Sequence, residues 1–171
     1  MLNKEMNQEA IKQHLLAKMP ENLKNAFERV TVAGMKLFYS KDIQSQLMDD
    51  EDSGQPLAHE IGVTAMGMIS MLQNKSNNTI PPAVLIPAGV FMIVSACEFM
   101  DETGKFPDLN DKVVGDAIEV FIISILQKNG IDQATAQKLA EQVSSQVEGG
   151  GNVAIPTQAK PQAGLLQKGA Q

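Results

Sequence analysis

The sequence predicts an all-α protein: a single helical-bundle domain of about six helices, followed by a disordered C-terminal tail. Apolar residues recur at helical rather than alternating spacing, and Pro and Gly separate the segments. The apolar fraction of 43% in 171 residues is enough to bury a core. With ten Met and no Trp, that core is expected to be aliphatic and thioether-rich. The predicted domain covers residues 1–148, and the Gly/Gln/Ala/Pro-rich tail covers 149–171.

Three helices are predicted before residue 75. The first, about 4–18, is short and amphipathic, and the second begins at Pro20 and runs to about Met48. An acidic loop follows over residues 49–56, where like charges combine with Gly and Pro. The third helix runs from Pro56 to about Asn74, with an apolar stripe that repeats every three or four residues.

An apolar helix pair is predicted over residues 81–129. Its first helix is placed mainly at 87–101, with Pro87 either in the first turn or at a kink, and Gly104 as the stop. Its second helix is placed at about 109–129, with Asp108 as the N-cap. The apolar positions that define the pair as a buried core or a membrane hairpin are Val90, Ile93, Phe121 and Ile122.

The sixth helix is expected to follow Gly130, with Asp132 as its cap. Its apolar positions form a narrow seam, which is typical of helices that pack against a partner. The predicted interaction surface on this seam consists of Leu139, Val143 and Val147.

The apolar pair raises the question of a membrane. A helix of 15 residues over 87–101 rises only about 22 Å, and a span needs about 20 apolar residues to cross roughly 30 Å of hydrocarbon. Asp116 and Glu119 fall inside the second helix, where lipid would oppose a carboxylate. A soluble buried hairpin is therefore preferred, and triggered insertion of residues 80–126, as in holin-like or channel-forming proteins, stays open as the alternative.

No catalytic or metal site is predicted. The two histidines, His14 and His59, are expected at the surface, and no metal-ligating Glu-x-x-His pair or HExxH motif occurs. Cys97 lies in an apolar run and is interpreted as a small buried hydrophobe. The segment from Gly62 to Gly67 lacks the Gly-Lys-Ser/Thr of a phosphate-binding loop. Cofactors are therefore expected to be none.

The acidic residues form two groups, and spacings of three or four residues place each group on one face of its helix. A catalytic site of paired carboxylates would need such an arrangement. A solvated face or salt bridges explain this spacing better than catalysis does. Five methionines similarly suggest either an adaptable groove or, as preferred, core filling. The acidic groups are Glu98, Asp101 and Glu102, and Asp116 and Glu119; the methionines are Met66, Met68, Met71, Met92 and Met100.

The charge distribution restricts the class of partner. The net charge is −6, and both ends are mildly basic around an acidic middle. Nucleic-acid binding by phosphate neutralisation is not expected, because it needs a basic face. A single Cys and a polar N-terminus predict synthesis in the cytosol without a secretory signal.

By elimination, function is expected to reside in surfaces: self-association or binding to larger protein partners. The run from Ile80 to Pro87 before two apolar helices, with the Met-, Gln- and Asn-rich composition and the single Cys, resembles small proteins of tailed-bacteriophage structural modules. The resemblance covers about residues 56–148. It implies a minor virion or assembly protein, internal or ejection-associated, without enzymatic activity, and it assigns no role to any residue.

Overall fold

The computed structural model describes the backbone of residues 7–49 and 54–148, and side chains within 7–45 and 54–141. These ranges contain seven α-helices and no strand, which confirms the all-α prediction. The predicted acidic loop lies partly outside them, and the predicted disordered tail lies wholly outside. The helices are α1 (Gln8–Lys18), α2 (Glu21–Phe38), α3 (Lys41–Asp49), α4 (Leu57–Lys75), α5 (Pro82–Thr103), α6 (Asp111–Lys128) and α7 (Gln133–Glu148).

The predicted single helix from Pro20 to Met48 is wrong, because α2 ends at Phe38 and α3 begins at Lys41. The backbone N–H of Tyr39 donates to the Met35 carbonyl, and the Ser40 hydroxyl donates to the Leu37 carbonyl at 2.6 Å. These bonds satisfy the last carbonyls of α2, so the chain can turn there. The turn brings Ile43 of α3 into the core, where it is only 6% exposed.

The prediction that the apolar helix begins mainly at Pro87 is also wrong. Helix α5 begins at Pro82, immediately after the N-cap Pro81. Proline is tolerated in this first turn because its missing N–H would have no partner within the helix. Pro87 lies inside the helix and is buried. A proline in a helix interior costs about 3 kcal/mol, and we attribute its tolerance to the packing of α5 on several sides.

The ends of the last two helices follow local signals. Gly104 adopts a left-handed backbone (φ 66°) at the end of α5, as predicted. The predicted cap Asp108 is wrong: the Asn110 side-chain oxygen instead accepts from the N–H groups of Lys112 and Val113. Asp132 caps α7 as predicted, since its carboxylate accepts from the Thr135 N–H at 3.0 Å. This hydrogen bond is the main cause of the lowered pKa of Asp132.

Helix α5 is the centre of the bundle. It is contacted by α1, α2, α4 and α6, and its most extensive contacts are with α2. Helix α6 contacts α5 but packs more extensively on α4 and α7. The core is mostly aliphatic, with edge-to-face aromatic pairs between Phe27 and Phe91 and between Phe38 and Phe99. The large apolar side chains that this arrangement leaves exposed, among the described residues, lie on α2, at its C-terminal end and on α4.

Candidate interaction surfaces

The histidines and the cysteine do not come together. His59 is exposed in the first turn of α4, whereas His14 on α1 is half-buried. Cys97 is fully buried in α5, and burial raises the pKa of its thiol to about 12. Among the described residues, no three His, Cys, Asp or Glu side chains are grouped so that they could hold a metal ion.

The prediction of a surface position for His14 needs correction, because its Nε2 is buried without a hydrogen-bond partner among the described atoms. Burial of the ring, and secondarily the positive charge of Lys18 one turn later, lower the pKa of His14. The folded state thus favours the neutral imidazole, and the unfolded chain binds a proton more readily.

Lowering the pH through the range below about 6.5, the ordinary histidine pKa, is therefore expected to destabilise the fold through His14. No such contribution is expected well above that pH, where the His14 imidazole is neutral in both the folded and the unfolded chain. Urea unfolding should show that the free energy of unfolding falls more between pH 7.5 and pH 5 for the native chain than for His14→Gln. The control His59→Gln should lose as much as the native chain. Equal losses for the native chain and His14→Gln would contradict the prediction.

The two acidic groups have separate structural surroundings. Glu98 on α5 accepts a hydrogen bond from the backbone N–H of Gln8 at 3.2 Å, at the start of α1. Asp116 on α6 pairs with Lys112 at 2.6 Å, one helical turn away. The Glu98 carboxylate therefore complements the partial positive charge at the N-terminus of α1 and connects that helix to α5. This contact accounts for one of the three carboxylates in the last turns of α5.

Substituting Glu98 by Gln is expected to lower the free energy of unfolding by about 1 kcal/mol, because the charged acceptor is lost. Amide hydrogen exchange should accelerate in the first turn of α1. The matched control is Glu102→Gln, an exposed carboxylate on the same helix, which should leave both measurements unchanged. Equal effects of the two substitutions would contradict a role for Glu98 in holding α1.

The preference for core filling by methionine is supported at three of the five positions. Met68, Met92 and Met100 are buried in the core, each at most 2% exposed. Met66 is half-buried, and Met71 is 46% exposed on the outer side of α4. The structure therefore places one of these methionines at the surface.

Four large apolar side chains are well exposed among the described side chains. They are Val32 on α2 and Tyr39 at its C-cap, at 56% and 55%, and Val63 and Met71 on α4, at 46% each. The first pair lies along α2 and its C-terminal end, and the second lies along α4. The sequence carried a signal for Val32: it lies two residues from the buried Val30, and such positions point to nearly opposite sides of a helix.

We define the α2 face as Lys12, Val32, Met35, Lys36 and Tyr39. These residues line an open groove of about 530 Å³ between α1, α2 and α5, with Phe91 and Thr31 also in its wall. Its surface is mostly apolar, and Lys12 and Lys36 supply the charge. Neither lysine forms a salt bridge within the described side chains. The α2 face therefore combines apolar area with positive charge on an acidic protein.

We define the α4 face as Val63, Gly67 and Met71, which are spaced one turn apart along the outer side of α4. Gly67 is exposed, and a Cβ atom built there would have no neighbour within 4 Å. The two apolar side chains therefore stand on either side of a gap. The acidic run of residues 49–52 precedes this helix in the chain.

The positions predicted from the apolar pair are all in the core. Val90, Ile93, Phe121 and Ile122 are each at most 2% exposed. Helix α5 has 22 residues and is long and apolar enough to span a membrane, and 78% of its most apolar window is buried in the bundle. The prediction that this helix is too short to span a membrane is thus wrong. Core helices of soluble proteins have the same length and composition, so this feature is weak evidence for a membrane.

The predicted α7 surface is only partly described. Leu139 is half-buried, and its neighbours Ala136 and Ala140 are fully buried, where α7 packs extensively on α6. Val143 and Val147 lie outside the described side chains. An interaction through this seam stays a prediction.

The architecture is thus a helical bundle built around one apolar helix, with exposed apolar faces on α2 and α4. Comparison with known proteins gives no match to a family model, to a curated protein or to a solved structure.

Proposed function

We propose that this chain is a non-enzymatic structural or assembly protein that associates, through helix faces, with copies of itself or with larger protein partners. The observation that carries the proposal is the pairing of exposed apolar side chains on the α2 and α4 faces. Single exposed apolar residues are ordinary in monomeric proteins, whereas grouped ones beside an open groove are typical of interaction sites.

Burial of the two faces favours association. Apolar surface removed from water contributes about 25 cal/mol per Å², so covering the faces in a complex would stabilise that complex. Aromatic and Met side chains are also enriched in protein interfaces, and Tyr39, Met35 and Met71 occur on these faces. The resemblance to tailed-bacteriophage structural modules suggests a minor virion component as the setting. Mass spectrometry of purified particles from a phage that encodes the chain tests that setting.

Light scattering on the purified chain tests the association itself. We expect a mass above the 18.5 kDa of one chain that rises with protein concentration. The double substitution Val32→Gln/Val63→Gln should return the mass to that of one chain, because it removes one apolar side chain from each face. A native chain that stays monomeric at every concentration and binds no co-encoded protein would contradict the proposal.

The length and apolarity of α5 favour one other function, that of a membrane-active protein of the holin-like or channel-forming kind. In this alternative the soluble bundle opens on a trigger, and α5 and α6 enter the bilayer. Insertion would have to separate α5 from α1, α2 and α4, which now contact it. The burial of Val90 and Ile93 means that charged substitutions there would disrupt the folded protein as well as any insertion.

A single tryptophan distinguishes the alternative more cleanly, since the chain has none. In Phe91→Trp the indole would report on α5, and in Tyr39→Trp on the protein surface. Membrane insertion predicts quenching of the first by lipids brominated in their acyl chains, together with dye release from anionic vesicles. Unchanged emission of Phe91→Trp and no leakage between pH 4 and 8 would reject it.

A further inference from the structure

The C-terminal end of α6 carries the one Asn-Gly pair in the sequence, Asn129 and Gly130. Asn129 is the C-cap of α6, and both residues are exposed to water. We propose that Asn129 is a site of spontaneous deamidation, and that the last turn of α6 controls the reaction by holding both reacting groups in hydrogen bonds. The reaction needs no partner other than water, so this inference is independent of the proposed function.

Deamidation at an Asn-Gly pair passes through a cyclic imide. The backbone nitrogen of Gly130 loses its proton and attacks Cγ of Asn129, so that a C–N bond forms and the Cγ–Nδ2 bond breaks. The leaving nitrogen takes up a proton and departs as ammonia. Water then opens the imide at either carbonyl, which gives aspartate or isoaspartate at position 129. Glycine favours the attack because it has no Cβ atom to hinder it.

The folded end of α6 holds both groups. The Asn129 side-chain amide donates to the Ile125 carbonyl at 2.7 Å, and the Gly130 N–H donates to the Gln127 carbonyl at 2.9 Å. An N–H that donates a hydrogen bond loses its proton less readily. The imide ring also contains the Cα–C bond of Asn129, which must rotate away from its present angle (ψ 13°). That rotation breaks the Gly130 hydrogen bond, so the turn must open before the ring can close.

Little burial opposes the opening of this turn. The four residues from Gln127 to Gly130 are all exposed, whereas Ile125, just before them, is buried. Local opening of a helix end costs much less free energy than unfolding of the whole protein. The reaction therefore proceeds through the fraction of chains in which the end of α6 is open, and its rate measures that fraction.

The product weakens the same turn. A carboxylate at position 129 cannot donate to the Ile125 carbonyl, so an acceptor loses its donor and faces a second acceptor. The new negative charge also lies at the C-terminus of a helix, where the helix dipole is already negative. Isoaspartate in addition lengthens the backbone between α6 and α7, which pack extensively on each other. Deamidation is thus expected to loosen the contact of α7 with α6.

Peptide mass mapping of the full chain, incubated at pH 8.5 and 37 °C, tests the site. Trypsin releases residues 129–138 as one peptide, and chromatography separates its aspartate and isoaspartate forms. Asn129 should convert before any other asparagine in the part of the chain that the structure describes. Its rate should be at least about tenfold lower than in urea, as an opening that costs about 1.4 kcal/mol or more requires. Earlier conversion of another of these asparagines would overturn the site, and equal rates with and without urea would overturn its control by the fold.

A matched pair of glycine substitutions tests whether the last turn of α6 is the controlling element. Gln127→Gly and Gln13→Gly make the same change at exposed helix positions, on α6 and α1 respectively. Gln127→Gly should accelerate the reaction about threefold in the folded chain, as the lower helix propensity of glycine predicts, and should leave the rate in urea unchanged. Gln13→Gly should react like the native chain. Equal rates for the two variants would show that the end of α6 does not control the reaction.

The variant Asn129→Asp tests the consequence. Amide hydrogen exchange should accelerate in the last turn of α6 and in α7, because the carboxylate replaces the donor to the Ile125 carbonyl. The control is Asn25→Asp, the same substitution at an exposed position near the start of α2, which should leave exchange in α6 and α7 unchanged. Equal exchange in the two variants would overturn the loosening of α7.

Discussion

Replacing Phe121 by alanine is expected to lower the free energy of unfolding by about 3–5 kcal/mol. The ring is fully buried on α6, and its tip lies against Gly89 of α5. Glycine leaves the space that the ring occupies: a Cβ atom on residue 89 would come within 2.0 Å of the ring's Cζ. Removal of the ring therefore leaves a cavity between two helices that pack closely, and neither backbone can move far to fill it.

Urea unfolding monitored by circular dichroism measures this loss. The control is Met71→Ala, which removes a large apolar side chain that is 46% exposed on α4. It is expected to change the free energy of unfolding by less than about 1 kcal/mol, because little burial is lost. A Phe121→Ala variant no less stable than Met71→Ala would contradict the close packing of α5 on α6. Because small domains have only about 5–15 kcal/mol of stability, the difference should be readily measured.

The sequence predicted helix positions best where local chemistry decides them. Gly104 and Asp132 end and begin helices as expected, because a left-handed glycine and a capping carboxylate act within one turn. The helix expected over 109–129 is α6, Asp111–Lys128. Its N-cap was misassigned because both Asp108 and Asn110 have capping side chains, and only the three-dimensional turn shows which one lies at the first free N–H groups.

Where long-range packing decides, the sequence was insufficient. Proline at position 87 predicts a helix start or kink, yet α5 continues through it because the surrounding helices bury both sides of the chain. The break between α2 and α3 likewise depends on tertiary packing, because the turn there brings Ile43 into the core. Periodicity describes one helix at a time, and these features depend on its neighbours.

The exposed apolar faces were missed in the sequence, although helical spacing carried a signal for part of them. Val63 lies two residues after the buried Ile61, and such positions point to nearly opposite sides of a helix. Met71 lies only three residues after the buried Met68, so its exposure depends on packing. Their exposure is a consequence of how α4 is rotated against α5 and α6. The same reasoning applies to α5: a helix that is apolar on all sides is one that is buried on all sides or lies in a membrane. Its contacts with four helices account for its apolarity within the bundle.

Two glycines of α4 test that rotation directly. Gly62→Ala is expected to lower the free energy of unfolding by about 1–3 kcal/mol, because its new Cβ would lie 2.7 Å from the Ala117 carbonyl oxygen of α6. A backbone atom cannot rotate away as a side chain can, so α4 and α6 must separate. Gly67→Ala, in the open part of the same helix, should instead raise it by about 0.5–1 kcal/mol through helix propensity.

Gly62→Ala and Gly67→Ala serve as controls for each other. Both substitutions add one methyl group to α4 and raise its intrinsic helix propensity by the same amount. The difference between their unfolding free energies, measured in urea, therefore isolates the contact with α6. Equal effects would mean that position 62 does not face α6 and that the outer side of α4 is elsewhere. The opposite signs expected here would place Gly67 on the free side of the helix.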